Sequence, residues 1–177
     1  MSWQKEDQQI LLEAVEEFAN YLHSPELQWK INFSRVFTAG RILLAQKRVH
    51  FLTDELPVNL KLIERIDHVK LESKAIWQRK IESEIPYRIN IWKNLLRDYL
   101  DEGLDSSYSA QVSNRVMLTL LMNEVDFLHP SIEITLSQLD DKLRTLAGEG
   151  DFIWDAVLEP GFLKADFWYL YTKRKEG

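Results

Sequence analysis

Apolar residues recur along this chain at spacings of three and four positions, and charged residues fill the positions between them. This spacing matches the turn of an α-helix, so the pattern predicts amphipathic helices. Six glycines and five prolines leave little material for tight β-turns. The pattern therefore predicts an all-α protein, an up-and-down bundle of five to six helices with an aromatic-rich C-terminal segment that closes it.

Prolines and capping residues divide the pattern into separate helices. Ser24-Pro25 ends the first helix, because a proline pushes the residue before it out of the α region. Pro57 can open the third helix, and Pro86 either kinks that helix or starts a fourth. Residues 105–107 are candidate N-caps of the fifth helix. The predicted helices cover residues 4–23, 26–53, 57–85, 87–100, 105–129 and 132–146.

The last part of the chain is crowded with aromatic side chains. Phe167–Tyr171 are five consecutive apolar or aromatic residues, a run that does not distinguish a short helix from a strand. We expect residues 148–177 to dock on helices formed by residues 1–147, so that residues 1–177 make a single helical domain. The alternative is an exposed surface for a partner, because tryptophan and tyrosine are enriched at binding hot spots. The candidate interface residues are Trp154, Phe167, Trp168, Tyr169 and Tyr171.

Composition and charge narrow the class of protein. Hydrophobic residues make up 45% and charged residues 28% of the 177 residues, which argues for one globular domain and against intrinsic disorder. The formal net charge of -6 disfavours general attraction to nucleic acids and membranes. Because the chain has no cysteine, disulfides, zinc–thiolate sites, iron–sulfur clusters and cysteine nucleophiles are excluded.

The same features predict a compartment. No basic region followed by an apolar run is visible at the N-terminus, so we expect no secretory signal. The most apolar stretch, Val116–Leu128, contains Glu124 and Asp126 and is too short to span a bilayer. The absence of cysteine fits a reducing environment. We therefore expect a cytoplasmic protein without a membrane partner.

Glu124 is the leading candidate for a functional residue. It falls on the helix face that carries Met117, Leu120, Leu121 and Leu128, opposite the polar face. A carboxylate on an apolar face must be paired, hydrogen-bonded or protonated, because burying it alone costs several kcal/mol. Glu124 is therefore either a structural partner of an arginine on a neighbouring helix or the centre of a metal or small-ligand site.

Two carboxylate–histidine pairs could add ligands to such a site. Asp126 and His129 stand three positions apart, and Glu64 and His68 stand four apart, so each pair shares a helix face. Neither pair is the Glu-x-x-His motif of helical di-metal sites. His129 also suits a helix C-terminus, where a cation offsets the helix dipole. These residues are accessory candidates only; the metal is unknown and the sequence implies no cofactor.

Basic residues are concentrated between positions 30 and 50, where no acidic residue occurs. If this segment is helical, Lys30, Arg41 and Arg48 project nearly in line, and such a stripe could follow the phosphates of a nucleic acid. The alternative is a basic helix that packs beside an acidic one inside the protein. The negative net charge favours this internal arrangement and disfavours a nucleic-acid partner.

No catalytic motif is visible. The chain has no Gly-x-Ser-x-Gly, no His-Glu-x-x-His and no phosphate-binding glycine loop, which lowers the expectation of an enzyme. The predicted function is a non-enzymatic protein-interaction or assembly module that binds itself, as a homodimer, or another protein. The alternatives are a metal- or small-ligand-binding bundle centred on Glu124 and a nucleic-acid-associated protein that uses residues 30–50.

Overall fold

The computed structural model describes residues 3–32, 35–52, 56–102 and 107–175. Helices account for most of these residues, so the predicted all-α class is confirmed. The described α-helices are α1 (Trp3–His23), α2 (Ala39–Val49), α3 (Leu56–Glu72), α4 (Lys74–Glu102), α5 (Tyr108–Gln111), α6 (Ser113–Glu124), α7 (Pro130–Leu146) and α8 (Lys164–Phe167). Two antiparallel pairs of short strands accompany them, formed by β1 (Trp29–Asn32) with β2 (Arg35–Phe37) and by β3 (Ala147–Glu149) with β4 (Thr172–Arg174).

The chain folds into two compact units. The first unit comprises Met1–Glu84 and Leu120–Val125, and the second comprises Ile85–Thr119 and Asp126–Gly177. Helices α4 and α6 each contribute residues to both units. The up-and-down arrangement, and the single domain with a segment docked from residue 148, stay predictions.

Helix α1 packs on α2 and α3 in the first unit. It begins one residue before the predicted start and ends at the predicted residue, His23. Its apolar stripe is buried at Leu11, Ala14, Phe18 and Leu22. Most of the stability of such a helix comes from this packing of one face rather than from helix propensity alone.

The predicted second helix, residues 26–53, is wrong in its first half. Strand β1 pairs there with β2, and Trp29 lies opposite Phe37 while Lys30 lies opposite Val36. Aromatic and β-branched side chains favour a pleated strand. Their chance spacing of three and four residues made this segment resemble an amphipathic helix.

Helix α2 is the part of the predicted second helix that forms. It begins after Thr38, whose Oγ1 accepts a hydrogen bond of 3.2 Å from the Arg41 backbone N–H. A threonine in this role satisfies one of the free donors at a helix start, which explains why the helix begins here. Thr53, the predicted helix end, lies outside the described residues.

The predicted third and fourth helices are divided differently in the structure. The break comes at Ser73, between α3 and α4, and Pro86 lies inside α4 rather than at the start of a helix. A proline removes one backbone hydrogen bond from a helix. Burial of Ile81, Ile85 and Trp92 on both sides of Pro86 stabilises the continuous helix despite this loss.

The predicted fifth helix does not reach His129. Helices α5 and α6 follow one another instead, and α6 ends at Glu124. His129 is the N-cap of α7, where its Nδ1 accepts a hydrogen bond of 3.3 Å from the Ser131 backbone N–H. Ser107 precedes α5 without a side-chain cap, and residues 105 and 106 lie outside the described ranges. Helix α7 itself forms where the sixth helix was expected.

The aromatic C-terminal segment packs within the second unit. Within the run Phe167–Tyr171, Phe167 is the last residue of α8 and Trp168–Leu170 forms a 3-10 helix. The run is therefore helical rather than a strand. Strand β4 follows and pairs with β3. A Cβ added at Gly150 would lie 3.1–3.2 Å from atoms of Lys173 and Thr172, so glycine permits this close backbone approach.

Candidate functional site

Glu124 lies at the C-terminal end of α6, in the first unit. Its carboxylate accepts a hydrogen bond of 2.9 Å from Trp77 Nε1 and lies 3.5 Å from Lys70 Nζ. Its backbone carbonyl accepts a further hydrogen bond of 2.6 Å from Gln78 Nε2. These contacts are those of a structural partner, although a lysine and a tryptophan take the place of the expected arginine.

Glu124 also lines an open depression on the first unit, with a volume of about 410 Å³. This volume lies within the range of about 300–1,000 Å³ that is typical of ligand sites. The apolar residues of its lining, which we call the floor, are Leu43, Phe51, Ile63 and Leu120, of which only Leu43 is buried. The polar residues of its lining, which we call the rim, are Gln46, Lys47, His50, Asp67, Lys70, Asn123 and Glu124.

Polar groups of this rim hold one another in place. Asp67 Oδ1 accepts hydrogen bonds of 3.1 Å from both Gln46 Nε2 and Lys70 Nζ. Lys70 therefore bridges Asp67 and Glu124, and its ammonium lies 5.2 Å from the centre of the Trp77 ring. Hydrogen bonds and ion pairs thus connect side chains of α2, α3, α4 and α6 at the depression.

The remaining metal-ligand candidates do not line this depression. Glu64 and His68 are exposed on α3, and His68 Nε2 lies 3.3 Å from Glu72 rather than pairing with Glu64. His129 is exposed in the second unit, where it caps α7. Within the described ranges, no three histidine, aspartate or glutamate side chains are grouped so that they could hold a metal ion.

The expected basic stripe does not form, because residues 30–50 are not one helix. Lys30 is exposed on β1, whereas Arg41 and Arg48 lie on α2 and contact acidic residues of α1. Arg41 pairs with Glu6, and Arg48 Nη1 lies 3.5 Å from Asp7 Oδ2. These contacts correspond to the internal alternative, in which basic and acidic helices pack together.

Asp7 is a buried acidic group that sequence analysis did not single out. Only 1% of its side chain is exposed, and its distances of 3.5 Å to Arg48 and 3.9 Å to Arg41 exceed those of ordinary hydrogen bonds. Burial raises the pKa of the Asp7 carboxyl above its usual range, and the two guanidinium groups oppose that rise. Burial also lowers the pKa of Arg48, whereas the nearby Asp7 carboxylate acts to raise it.

Glu84, on α4, is a second buried carboxylate that sequence analysis missed. It accepts hydrogen bonds of 2.7 Å from Thr38 Oγ1 and 3.1 Å from the Gly40 backbone N–H, at the N-terminus of α2. Free backbone donors at a helix N-terminus favour a negative group there. The sequence did carry one signal, because Glu84 stands three positions after Ile81 and so shares a helix face with that apolar residue.

The aromatic interface candidates divide by exposure. Phe167 and Tyr169 are buried, whereas Trp154, Trp168 and Tyr171 are partly exposed. The two buried rings therefore belong to the core of the second unit, and the other three retain accessible surface.

A hydrogen-bonded network surrounds Tyr169 in the second unit. Arg115 donates hydrogen bonds of 2.9 and 2.8 Å to the two carboxylate oxygens of Asp140 and one of 2.6 Å to Thr119 Oγ1. The Arg115 guanidinium lies 4.5 Å from the centre of the Tyr169 ring, and the Tyr169 hydroxyl lies 2.7 Å from Thr119 Oγ1. Burial raises the pKa of Tyr169 to about 12. Since these polar groups satisfy one another, the network has the character of a structural one.

Comparison with known proteins found no matching family model, no matching curated protein and no matching solved structure. In the part of the chain that the structure describes, no helix combines the length and the apolar character needed to cross a membrane.

Proposed function

We propose that this chain is a non-enzymatic interaction module that binds a partner protein through the depression on its first unit. The observation that carries the proposal is the apolar floor of this depression, where Phe51, Ile63 and Leu120 all retain exposed surface. Protein interfaces commonly combine apolar side chains with polar ones that surround them.

The openness of the floor favours a protein over a small molecule. Small-molecule sites bury most of the surface of their ligand. A depression with a partly exposed floor instead suits side chains that project from a larger partner. The rim carboxylates Asp67 and Glu124 are engaged with Lys70, which supports a binding role over acid–base chemistry.

A second copy of this chain is the partner that we propose, which makes the protein a homodimer. The experiment measures mass against concentration by light scattering for the wild type, Ile63→Glu and Val58→Glu. Ile63 lies in the floor, whereas Val58 lies on the same helix, is 59% exposed and does not line the depression.

We expect the wild type and Val58→Glu to associate as concentration rises and Ile63→Glu to remain monomeric. Circular dichroism first establishes that both variants fold like the wild type. Monomers at every concentration would refute self-association. If a peptide library then also yielded no ligand that depends on Ile63, the interaction function itself would be refuted.

The second candidate function is small-ligand binding centred on Glu124. It is favoured by the convergence of Glu124, Asp67 and Lys70 in the lining of the depression. A fragment screen by nuclear magnetic resonance tests it, since ligands of this site shift the signals of Ile63 and Leu120. Fragments that perturb only other residues would count against it.

We further propose a cytoplasmic location. The complete lack of cysteine supports it, because a protein of a reducing compartment has no use for disulfides. Fractionation of cells that produce the protein tests this assignment.

A further inference from the structure

A second concavity lies on the first unit, beside the end of α1 and along the part of α4 that belongs to this unit. Its volume is about 390 Å³. Its lining includes the apolar residues Leu22, Leu27 and Ile76 as well as His23, Arg79 and Lys80. We call it the basic groove.

The charge of the basic groove opposes that of the whole chain. The described residues that line it include an arginine, a lysine and a histidine but no carboxylate, although the formal net charge is -6. Glu26 and Glu84 act electrostatically on Lys80, but neither lines the groove. A concentrated positive charge on an acidic protein attracts anions locally.

Lys80 already has a structural role in the groove. Its ammonium donates hydrogen bonds of 2.7 Å to the Ser24 carbonyl and 2.6 Å to the Glu26 carbonyl, and it lies 4.4 Å from the centre of the Tyr21 ring. A cation in this place satisfies carbonyls that follow a helix C-terminus. These acceptors are neutral, so the positive charge of Lys80 is not cancelled by a carboxylate contact.

Arg79 has no such structural role. It is exposed, and within the described ranges its guanidinium forms neither an ion pair nor a hydrogen bond. The same holds for the imidazole of His23, at the last residue of α1. Two unengaged nitrogen groups therefore belong to the lining of a groove that also contains apolar residues.

We propose that the basic groove binds a small organic oxyanion, a carboxylate or a phosphate on an apolar body. Arg79 donates to the oxyanion, because its planar fork matches either group. His23 adds a second donor, and Lys80 adds charge at short range. The apolar body lies against Leu27 and Ile76. This site is separate from the depression of the proposed function and does not depend on it.

The test uses calorimetric titration of the full chain with benzoate, phenyl phosphate and benzyl alcohol. The variant is Arg79→Gln, and the matched control is Arg97→Gln. Arg97 lies on the same helix, is 69% exposed and does not line the groove. We expect at least one of the two anions to bind more tightly than benzyl alcohol, and Arg79→Gln to weaken it about tenfold or more, as loss of a charge-assisted hydrogen bond implies. Arg97→Gln should bind like the wild type.

Each outcome decides the matter. Selective binding of benzoate or of phenyl phosphate supports the site and identifies which oxyanion it takes. Equal binding of benzyl alcohol would overturn the proposal, because the charge would then have no part. Anion binding that survives in Arg79→Gln, or no binding of either anion at millimolar concentration, would overturn it as well. The light-scattering result for Ile63→Glu does not depend on these titrations. Failure of this site and failure of the interaction function can therefore be distinguished.

Discussion

At the scale of single residues, Glu124 illustrates how a carboxylate on an apolar helix face is accommodated. Glu124 lies in the last turn of α6, where 31% of its side chain stays exposed. Trp77 and Lys70 supply donors to it from two other helices. The sequence predicted that such a residue needs a partner, because an isolated buried charge is costly. Which residues would supply the donors depended on contacts across 47 and 54 positions of the chain, which local pattern does not reveal.

Glu124→Ala should destabilise the protein more than Glu124→Gln. Alanine leaves the Trp77 N–H without its acceptor, whereas glutamine retains an oxygen there. An unsatisfied donor costs about 1–3 kcal/mol when buried, and partial exposure places this one at about 1 kcal/mol. The free energy of unfolding in urea measures the effect, with exposed Glu64→Ala as the control. Equal values for Glu124→Ala and the control would contradict the structural role.

Asp7 should make the stability dependent on pH in an unusual direction. Its folded pKa is raised above its usual value of 3.8, so the folded protein holds this proton more strongly than the unfolded chain. The stabilisation from proton binding is complete below pH 3.8 and is lost as pH rises through the raised pKa.

We therefore expect the free energy of unfolding of the wild type, relative to Asp7→Asn, to decrease as pH rises from about 4. Urea unfolding of both proteins at a series of pH values measures this difference. Glu16→Gln, at an exposed site on the same helix, is the control for replacement of a carboxyl by an amide. A relative stability that rises with pH would contradict the assignment.

At the scale of elements, the start of α2 depends on one neighbouring residue, Thr38, and on one distant residue, Glu84. Thr38 caps the helix from its own segment, and Glu84 accepts hydrogen bonds from Thr38 and Gly40 across more than forty positions. The helical spacing of residues 29–37 gave no indication of the hairpin that precedes α2. Strand pairing and a distant carboxylate decide this boundary.

Replacement of Glu84 should therefore destabilise α2. Glu84→Ala removes the acceptor of two buried donors, at about 1–3 kcal/mol for each unsatisfied group. Glu84→Gln keeps one acceptor oxygen and should lie between alanine and the wild type. Thermal unfolding compares these variants with Glu82→Ala, which changes an exposed glutamate of the same helix. Indistinguishable midpoints for Glu84→Ala and Glu82→Ala would refute the role of Glu84.

The aromatic C-terminal segment should prove necessary for the folded state. Phe162 is fully buried, whereas Leu163, the next residue, is 59% exposed. Phe162→Ala should cost about 3–5 kcal/mol, because it removes buried apolar surface and leaves a cavity. Leu163→Ala should change stability little. Urea unfolding measures both, and a Phe162→Ala variant as stable as Leu163→Ala would show that this segment is not part of the core.

At the scale of the whole molecule, the composition and the fold agree. The described helices α1 and α4 contain 21 and 29 residues, which exceeds the average helix length of about 11–12 residues. We expect far-UV circular dichroism to give a helix content above about one half, against about one third in ordinary domains. A helix content below one half would contradict the all-α fold.

Local periodicity was sufficient for the all-α class, for α1 to within one residue, for the C-terminal end of α7, and for the expectation that Glu124 needs a partner. These features depend on neighbouring positions, where side-chain spacing and capping act within one helix. The hairpin before α2, the pairing of Arg48 with Asp7, the burial of Glu84 and the two concavities came only from the tertiary structure. Each of them depends on residues that are far apart in the chain and meet only when the chain folds, because burial and charge pairing are set by those contacts.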